Sequence, residues 1–178
     1  IKAIQLLLKS GADINQPIYE GGKPKKGQKT DKRRTTLLHF VAKTKFHKQP
    51  ANNNNNKRKR ETVSHTKDFE SAQKLLKEVI TLFSKHNGDI NIQDASGNTA
   101  FHAICHIGDR DLVIFALQQL TDTDVTIRND DGELPLSLYP NLEEIKMKIG
   151  GSKDEILKSK LLKHEKAIQS FVKKPKKN

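Results

Sequence analysis

The most continuous apolar segment of the chain lies near its middle. Every residue from Leu112 to Leu117 is apolar, which predicts a helix that is buried on several sides. Gly108 precedes this segment as a helix stop. Thr99 stands where the N-cap of an earlier helix belongs, and apolar positions follow it at helical spacing up to Cys105. The pattern therefore predicts two short helices joined by a tight turn.

Clusters of Asp, Asn, Ser and Gly at 94–98 and 129–132 separate these helices from their neighbours. They predict turns, because Gly adopts positive φ angles and Asp or Asn accepts nearby backbone hydrogen bonds. Near the C-terminal end, Ser152–Glu155 has the pattern of a capping box. The apolar stripe that follows comprises Ile156, Leu157, Leu161, Leu162, Ala167, Ile168 and Phe171. It predicts a final helix that packs on the end of the fold or binds a partner.

Two motifs recur along the chain in step with each other. The segment 4–15, which ends in Gly-Ala-Asp-Ile-Asn, returns in looser form at 80–91 and around 115–125. The segment Thr36-Leu37-Leu38-His39 returns at 99–102 and, as Leu-Pro-Leu-Ser, at 134–137. The distances from Asp89 to Asp124 and from Thr99 to Leu134 are both 35 residues. Such joint spacing indicates repeated structural units.

These motifs resemble the ankyrin repeat, whose signature includes Thr-Pro-Leu-His and Leu-Leu-x-x-Gly-Ala-Asp-x-Asn and whose period is about 33 residues. The resemblance implies an all-α fold, a solenoid of helix-turn-helix units with a C-terminal capping helix, in which neighbouring units cover each other's apolar faces. In chain order we predict a partial repeat at 1–15, an insertion at about 16–34, a repeat at 36–91 containing an insertion at about 45–67, the best-preserved repeat at 92–126, a final unit at 127–149, the C-terminal helix at 150–172 and a basic tail at 173–178. Leu134 and Ser137 replace the expected Thr and His in the final unit, which suits a terminal cap.

The chain has 178 residues, 34% of them hydrophobic, and a net charge of +12. Most of that charge lies in three short segments, Lys23–Arg34, Lys57–Arg60 and Lys173–Lys177, and the remainder is close to neutral. Aromatic residues make up 5% and Trp is absent, so a stacking surface for single-stranded nucleic acid is disfavoured. Nucleic-acid binding through the basic segments is therefore the least favoured interpretation.

The resemblance implies that loops and inner helices form a concave surface that binds a protein partner. The loops of this surface are expected near 18–34, 93–98 and 128–133. The predicted contact residues are Gln93, Asp94, Ser96, Asn98, Arg128, Asn129, Asp131 and Glu133. The resemblance also implies inter-repeat hydrogen bonds for His39 and His102. It further implies hydroxylation of Asn15 and Asn91 by an asparaginyl hydroxylase, although we favour a role as turn residues for both.

Other candidate chemistry is weaker. The run Lys57, Arg58, Lys59 and Arg60 resembles a nuclear localisation signal, and we favour the alternative that it is a solvated low-complexity insertion. His102, Cys105 and His106 are too few for a closed zinc site, which needs four ligands. Because no phosphate-binding loop or catalytic constellation is evident, we expect no metal, no cofactor and no enzymatic activity.

A single cysteine, Cys105, favours a reducing compartment, so we expect an intracellular protein of the cytoplasm or nucleus. No run approaches the roughly 20 apolar residues of a transmembrane helix. We expect a monomer that works as a protein interaction module. Because Ile1 lies inside an apolar helical pattern, we also expect a fragment of a longer protein. Alternatively the module is the targeting domain of a larger effector or enzyme whose catalytic part lies outside this fragment. If that protein is an effector of an intracellular bacterium, we expect it to be secreted into the host cell.

Overall fold

The computed structural model describes residues 2–18, 34–45 and 62–172, and this part of the chain is helical, without a strand. The helices are α1 (Lys2–Lys9), α2 (Leu37–Lys45), α3 (Thr62–Lys85), α4 (Ala100–Ile107), α5 (Arg110–Gln119), α6 (Leu142–Gly150) and α7 (Glu155–Val172), and a 3₁₀ helix covers Pro135–Leu138. The prediction of a mainly helical, repeat-like fold is confirmed. No helix among the described residues combines the length and the apolar character that crossing a membrane requires.

The helices form two layers that share one core. The first layer contains α2, α4 and the 3₁₀ helix, and the second contains α3, α5 and α6. Across the layers, α2 contacts α3 and α4 contacts α5, while α7 packs against α5 and α6. Helix α1 has no buried residue and reaches the core only through Ile4 and Leu8. The fully buried side chains of the core include Leu38, Leu76, Ile80, Phe83, Phe101, Ile104, Leu112, Leu117, Leu136, Ile145 and Ile149.

The centre of the molecule has the predicted helix boundaries. Thr99 is the N-cap of α4, and Gly108 ends that helix with a positive φ of 77°. Asp109 then caps α5, because its carboxylate accepts a hydrogen bond of 2.7 Å from the Leu112 backbone N–H. In α5, four of the six residues at 112–117 are buried and the other two are half-buried. The prediction that this helix is covered on several sides is confirmed.

Helix α3 starts earlier than the repeat pattern indicates. It begins at Thr62, so its first six residues lie in the range 45–67 that the sequence assigns to an insertion. Neither Gly nor Pro occurs between Thr62 and Lys85, and nothing therefore ends the helix at the limit of the motif. The remainder of that insertion, and most of the one at 16–34, lies outside the described residues.

Helix α7 differs from its prediction at its start and on its buried face. Asp154, not Ser152, caps the helix, because its Oδ1 accepts hydrogen bonds from the N–H groups of residues 156 and 157. The buried or half-buried face carries Leu157, Lys160, Leu161 and His164, whereas Ile156, Leu162, Ile168 and Phe171 of the predicted stripe are exposed. Lys160 is buried because its Nζ donates to the carbonyls of Leu117 (2.9 Å) and Leu120 (2.7 Å) at the end of α5.

Candidate binding groove

His102 connects the start of α4 to the next loop. Its Nδ1 accepts a hydrogen bond of 3.0 Å from the Thr99 N–H and lies 2.8 Å from the Thr99 hydroxyl, while its Nε2 lies 3.2 Å from the carbonyl oxygen of Glu133. A carbonyl oxygen only accepts, so Nε2 carries the proton and Nδ1 is the acceptor. Burial lowers the pKa of His102, which favours this neutral form. The imidazole therefore holds two segments together without a charge.

His39 makes the same contacts one unit earlier. Its Nδ1 lies 2.8 Å from the Thr36 hydroxyl, and its Nε2 lies 3.0 Å from the carbonyl oxygen of Asn98. Burial lowers its pKa also. Asn98 directly precedes Thr99, just as Glu133 directly precedes Leu134. Each histidine thus joins the start of one helix to the loop before the next, as predicted for both.

Side-chain hydrogen bonds fix the two loops at 93–98 and 129–133. Asp94 Oδ1 accepts from the backbone N–H groups of Ser96 (2.9 Å) and Asn98 (3.0 Å). Asn129 Oδ1 accepts from the Glu133 N–H (2.8 Å). Burial would raise the pKa of Asp94, but Lys43, which donates to its carboxylate, and the backbone donors together lower it. Both loops are consequently held in defined conformations.

A groove of about 900 Å³ lies where these loops meet the first helical layer. Its apolar lining consists of Ala42, Ala103, Ile107, Leu138 and Pro140, and its polar lining consists of Lys43, Asn98, His102, His106, Asn129, Asp131 and Glu133. The residues come from α2, α4, both loops, the 3₁₀ helix and Pro140, which follows that helix. The groove is therefore assembled from successive units of the chain, and no single unit contains it.

Four of the eight predicted contact residues line this groove, namely Asn98, Asn129, Asp131 and Glu133. The other four lie outside it. Gln93 links the two loops, because its Nε2 donates to the carbonyls of Gly97 (2.6 Å) and Arg128 (2.9 Å). Asp94 is buried, and Ser96 contributes its backbone to the loop–loop contact by accepting from the Asp130 N–H at 3.1 Å.

Arg128 is also outside the groove. Its guanidinium donates to the carbonyl of Ala167 (3.1 Å) and lies 4.4 Å from the centre of the Phe171 ring. A cation over an aromatic face is attracted by the ring quadrupole. Arg128 therefore joins the second loop to α7 and is engaged within the fold.

Several groove residues were not among the predicted contact residues. Ala103, His106 and Ile107 lie three and four positions apart, so they share one face of α4. That face is distinct from the fully buried one formed by Phe101, Ile104 and Cys105. The helical periodicity of α4 could have identified these three residues. Lys43, Leu138 and Pro140 depend on how the units stack, and the sequence gives no local signal for them.

Comparison of the chain with protein-family models, with curated proteins and with solved structures finds no match.

Asn15 and Asn91 lie in the turns that follow α1 and α3, and each accepts a hydrogen bond from the corresponding turn of the next unit. Asn15 Oδ1 accepts from the Asp89 N–H (2.6 Å), and Asn91 Oδ1 accepts from the Asp124 N–H (2.8 Å). The Asn91 side-chain amide also donates to the Asp122 carbonyl (2.8 Å). These contacts give both asparagines a structural role between units, and their hydroxylation stays a prediction.

The cluster of His102, Cys105 and His106 does not converge on one point. His102 is committed to Thr99 and Glu133, Cys105 is fully buried, and His106 is exposed. Burial raises the pKa of the Cys105 thiol well above its usual value, so the thiol behaves as a small apolar group. The basic run at 57–60 and the basic tail both lie outside the described residues.

Proposed function

We propose that this chain is an ankyrin-repeat interaction module whose groove binds a segment of a protein partner. The repeated contact of His39 with the Asn98 carbonyl and of His102 with the Glu133 carbonyl supports the ankyrin arrangement. In both units a Thr and a His three residues later fix a helix start and hold the following loop. This repetition is the observation that carries the proposal.

The lining of the groove supports binding in preference to catalysis. Apolar side chains from Ala103, Ile107 and Leu138 lie beside polar groups from the loops, a mixture that suits the alternating side chains of a peptide segment. Both ring nitrogens of His102 are already engaged, and the Lys43 ammonium is paired with Asp94. Among the described residues that line the groove, no Ser, Thr or Cys is present as a nucleophile.

The distribution of charge favours protein over nucleic acid as the ligand. Of the 33 Lys and Arg residues, 15 lie in 19–33, 46–61 and 173–178, together with 3 of the 21 Asp and Glu residues. The described residues consequently carry 18 charges of each sign and are formally neutral. Binding to a phosphate backbone depends on an excess of positive charge, which the described residues taken together do not have.

A substitution that fills the groove tests this function. In Ala103→Arg, a long side chain enters the groove from α4, where Ala103 is half-buried and Arg is well tolerated in a helix. Ser71→Arg, at an exposed position of α3 outside the groove, is the matched control. Partners captured from a nuclease-treated eukaryotic lysate at about 150 mM salt are expected to be lost with Ala103→Arg and retained with Ser71→Arg. Retention by both variants, or complete loss after nuclease treatment, would contradict the proposal.

A further inference from the structure

The charged residues of the groove are unevenly compensated. Lys43 is the one Lys or Arg among the described lining residues, and its ammonium donates to the buried Asp94 carboxylate. Asp131 and Glu133 are exposed, and no Lys or Arg of the described chain forms an ion pair with either. The Glu133 carboxylate accepts one hydrogen bond, from the neutral Asn129 amide at 3.1 Å. The loop side of the groove is therefore negative.

The nearest basic residue along the chain does not neutralise these acids. Arg128 donates to the Gly132 and Ala167 carbonyls and stacks on Phe171. Its guanidinium is thus held by neutral groups and by α7. In a chain with a net charge of +12, two carboxylates that form no ion pair with the described residues lie beside an apolar lining and make a local surface of opposite sign. Such complementarity contributes to selectivity more than to total affinity.

We propose that the groove selects protein segments in which a lysine or arginine contacts Asp131 and Glu133 while a neighbouring apolar side chain packs on Ala103, Ile107 and Leu138. This inference rests on the proposed function and names the chemistry of the partner. A charge on the partner is attracted more strongly here than in bulk water, because the apolar lining lowers the local dielectric constant. Two partly exposed ion pairs change the binding constant by about tenfold.

Selection from a random displayed-peptide library tests the inference without a known partner. The full 178-residue chain is immobilised, and peptides of about 12 residues, long enough for an extended segment, are retained at about 150 mM salt. Peptides retained by the wild-type chain are expected to be enriched in Lys and Arg, and the recurrent ones to bind Asp131→Asn/Glu133→Gln about tenfold more weakly. Both substitutions keep the side-chain shape and remove the charge.

The control variant is Glu70→Gln/Glu78→Gln, which changes the net charge equally on α3, outside the groove lining. It is expected to retain the same basic peptides, and its melting temperature and that of the groove variant are compared with the wild type.

A retained pool without enrichment in Lys and Arg, or an enrichment that persists in Asp131→Asn/Glu133→Gln, overturns the inference. If such peptides are still lost with Ala103→Arg, the proposed function survives. A pool that Ala103→Arg retains equally, or no retained pool at all, contradicts both.

Discussion

The units that start at Thr36 and Thr99 differ from the one that starts at Leu134. In the first two, a Thr and a His fix the start of an α-helix, and the histidine holds the next loop at the Asn98 or Glu133 carbonyl. In the third, Pro135 follows the buried Leu134, and the segment is a four-residue 3₁₀ helix. Ser137, at the place of the histidine, is exposed. The contact between units therefore ends where its donor is lost.

This difference indicates what each kind of unit is for. A unit with the Thr and His pair supports another unit after it, whereas the third unit, which includes α6, is followed by α7. Helix α7 covers the end of the second layer, and Lys160 satisfies carbonyls at the end of α5. At the C-terminal side of the fold, the hydrogen bonds of Lys160 in α7 thus take the place of the histidine contact that joins the earlier units.

The largest expected effect comes from acid, which acts on the buried histidines of the first two units and of α7. Burial lowers the pKa of His39, His102 and His164, so the folded chain stays neutral at these positions while the unfolded chain takes up protons below a pH of about 6.5. Stability is therefore expected to fall as the pH drops below about 6.5, and three such groups set an upper limit of about 4 kcal/mol per pH unit on the slope. Urea unfolding between about pH 7.5 and 5 measures it.

His164 allows the contributions to be separated. Neither of its ring nitrogens has a hydrogen-bond partner in the described chain, although its side chain is fully buried. His164→Leu is expected to remove about one third of the slope and to stabilise the protein at pH 7, because an unsatisfied buried polar group is replaced by an apolar one. A slope that does not change in this variant would show that acid acts elsewhere.

The next effect is the loss of one histidine contact. His102→Ala leaves the Thr99 N–H and the Glu133 carbonyl without their partner and opens a cavity in the core, so we expect a cost of about 3 kcal/mol. Ser137→Ala, at the corresponding position of the third unit, is expected to change stability by less than about 0.5 kcal/mol. Denaturant unfolding of both variants at pH 7 gives the comparison. Equal costs would contradict the view that the units differ in this contact.

The features that were predictable from the sequence are those with local signals. Thr99, Gly108 and the apolar run at 112–117 mark helix boundaries and burial by their own chemistry, and all three have the predicted role. The hydrogen bonds of His39 and His102 to the following loops were expected from the resemblance of the repeated Thr and His motif to the ankyrin repeat.

The features that were missed depend on tertiary partners. Lys160 and His164 are both buried, although residues of these types are usually exposed or partly exposed. The burial of Lys160 is understood only once the carbonyls at the end of α5 are known to accept its hydrogen bonds. The groove is a similar case, because Ala42 and Leu138 are ordinary helix positions until stacking brings them together. The contact residues were predicted from the resemblance to the ankyrin repeat, and the buried Asp94 among them instead holds its own loop together.

The glycines of the two loops provide a third comparison. Gly97 and Gly132 both have a positive φ, 73° and 79°, so alanine costs about 1 kcal/mol at either position. A Cβ atom at Gly97 would also lie 2.8 Å from the Asp130 N atom, which the Ser96 carbonyl holds in place, whereas nothing lies within 4 Å at Gly132. We expect Gly97→Ala to cost about 2 kcal/mol or more and Gly132→Ala about half as much. Thermal unfolding of the two variants measures the difference, and equal shifts would mean that the loops are not in close contact.

The smallest expected effect concerns the hydrogen bonds between the turns that follow α1, α3 and α5. Asn91 makes two hydrogen bonds of 2.8 Å, to the Asp124 N–H and the Asp122 carbonyl, and is half-buried. Thr126, 35 residues later, is exposed, and within the described chain its side chain bonds only to Asp124. We therefore expect Asn91→Ala to cost about 1 kcal/mol and Thr126→Ala a few tenths. Chemical denaturation resolves this difference if the unfolding free energies of both variants depend equally steeply on denaturant concentration. A larger cost at Thr126 would show that hydrogen bonds within a single turn stabilise this region most. Asn91 would then be dispensable for holding one unit to the next.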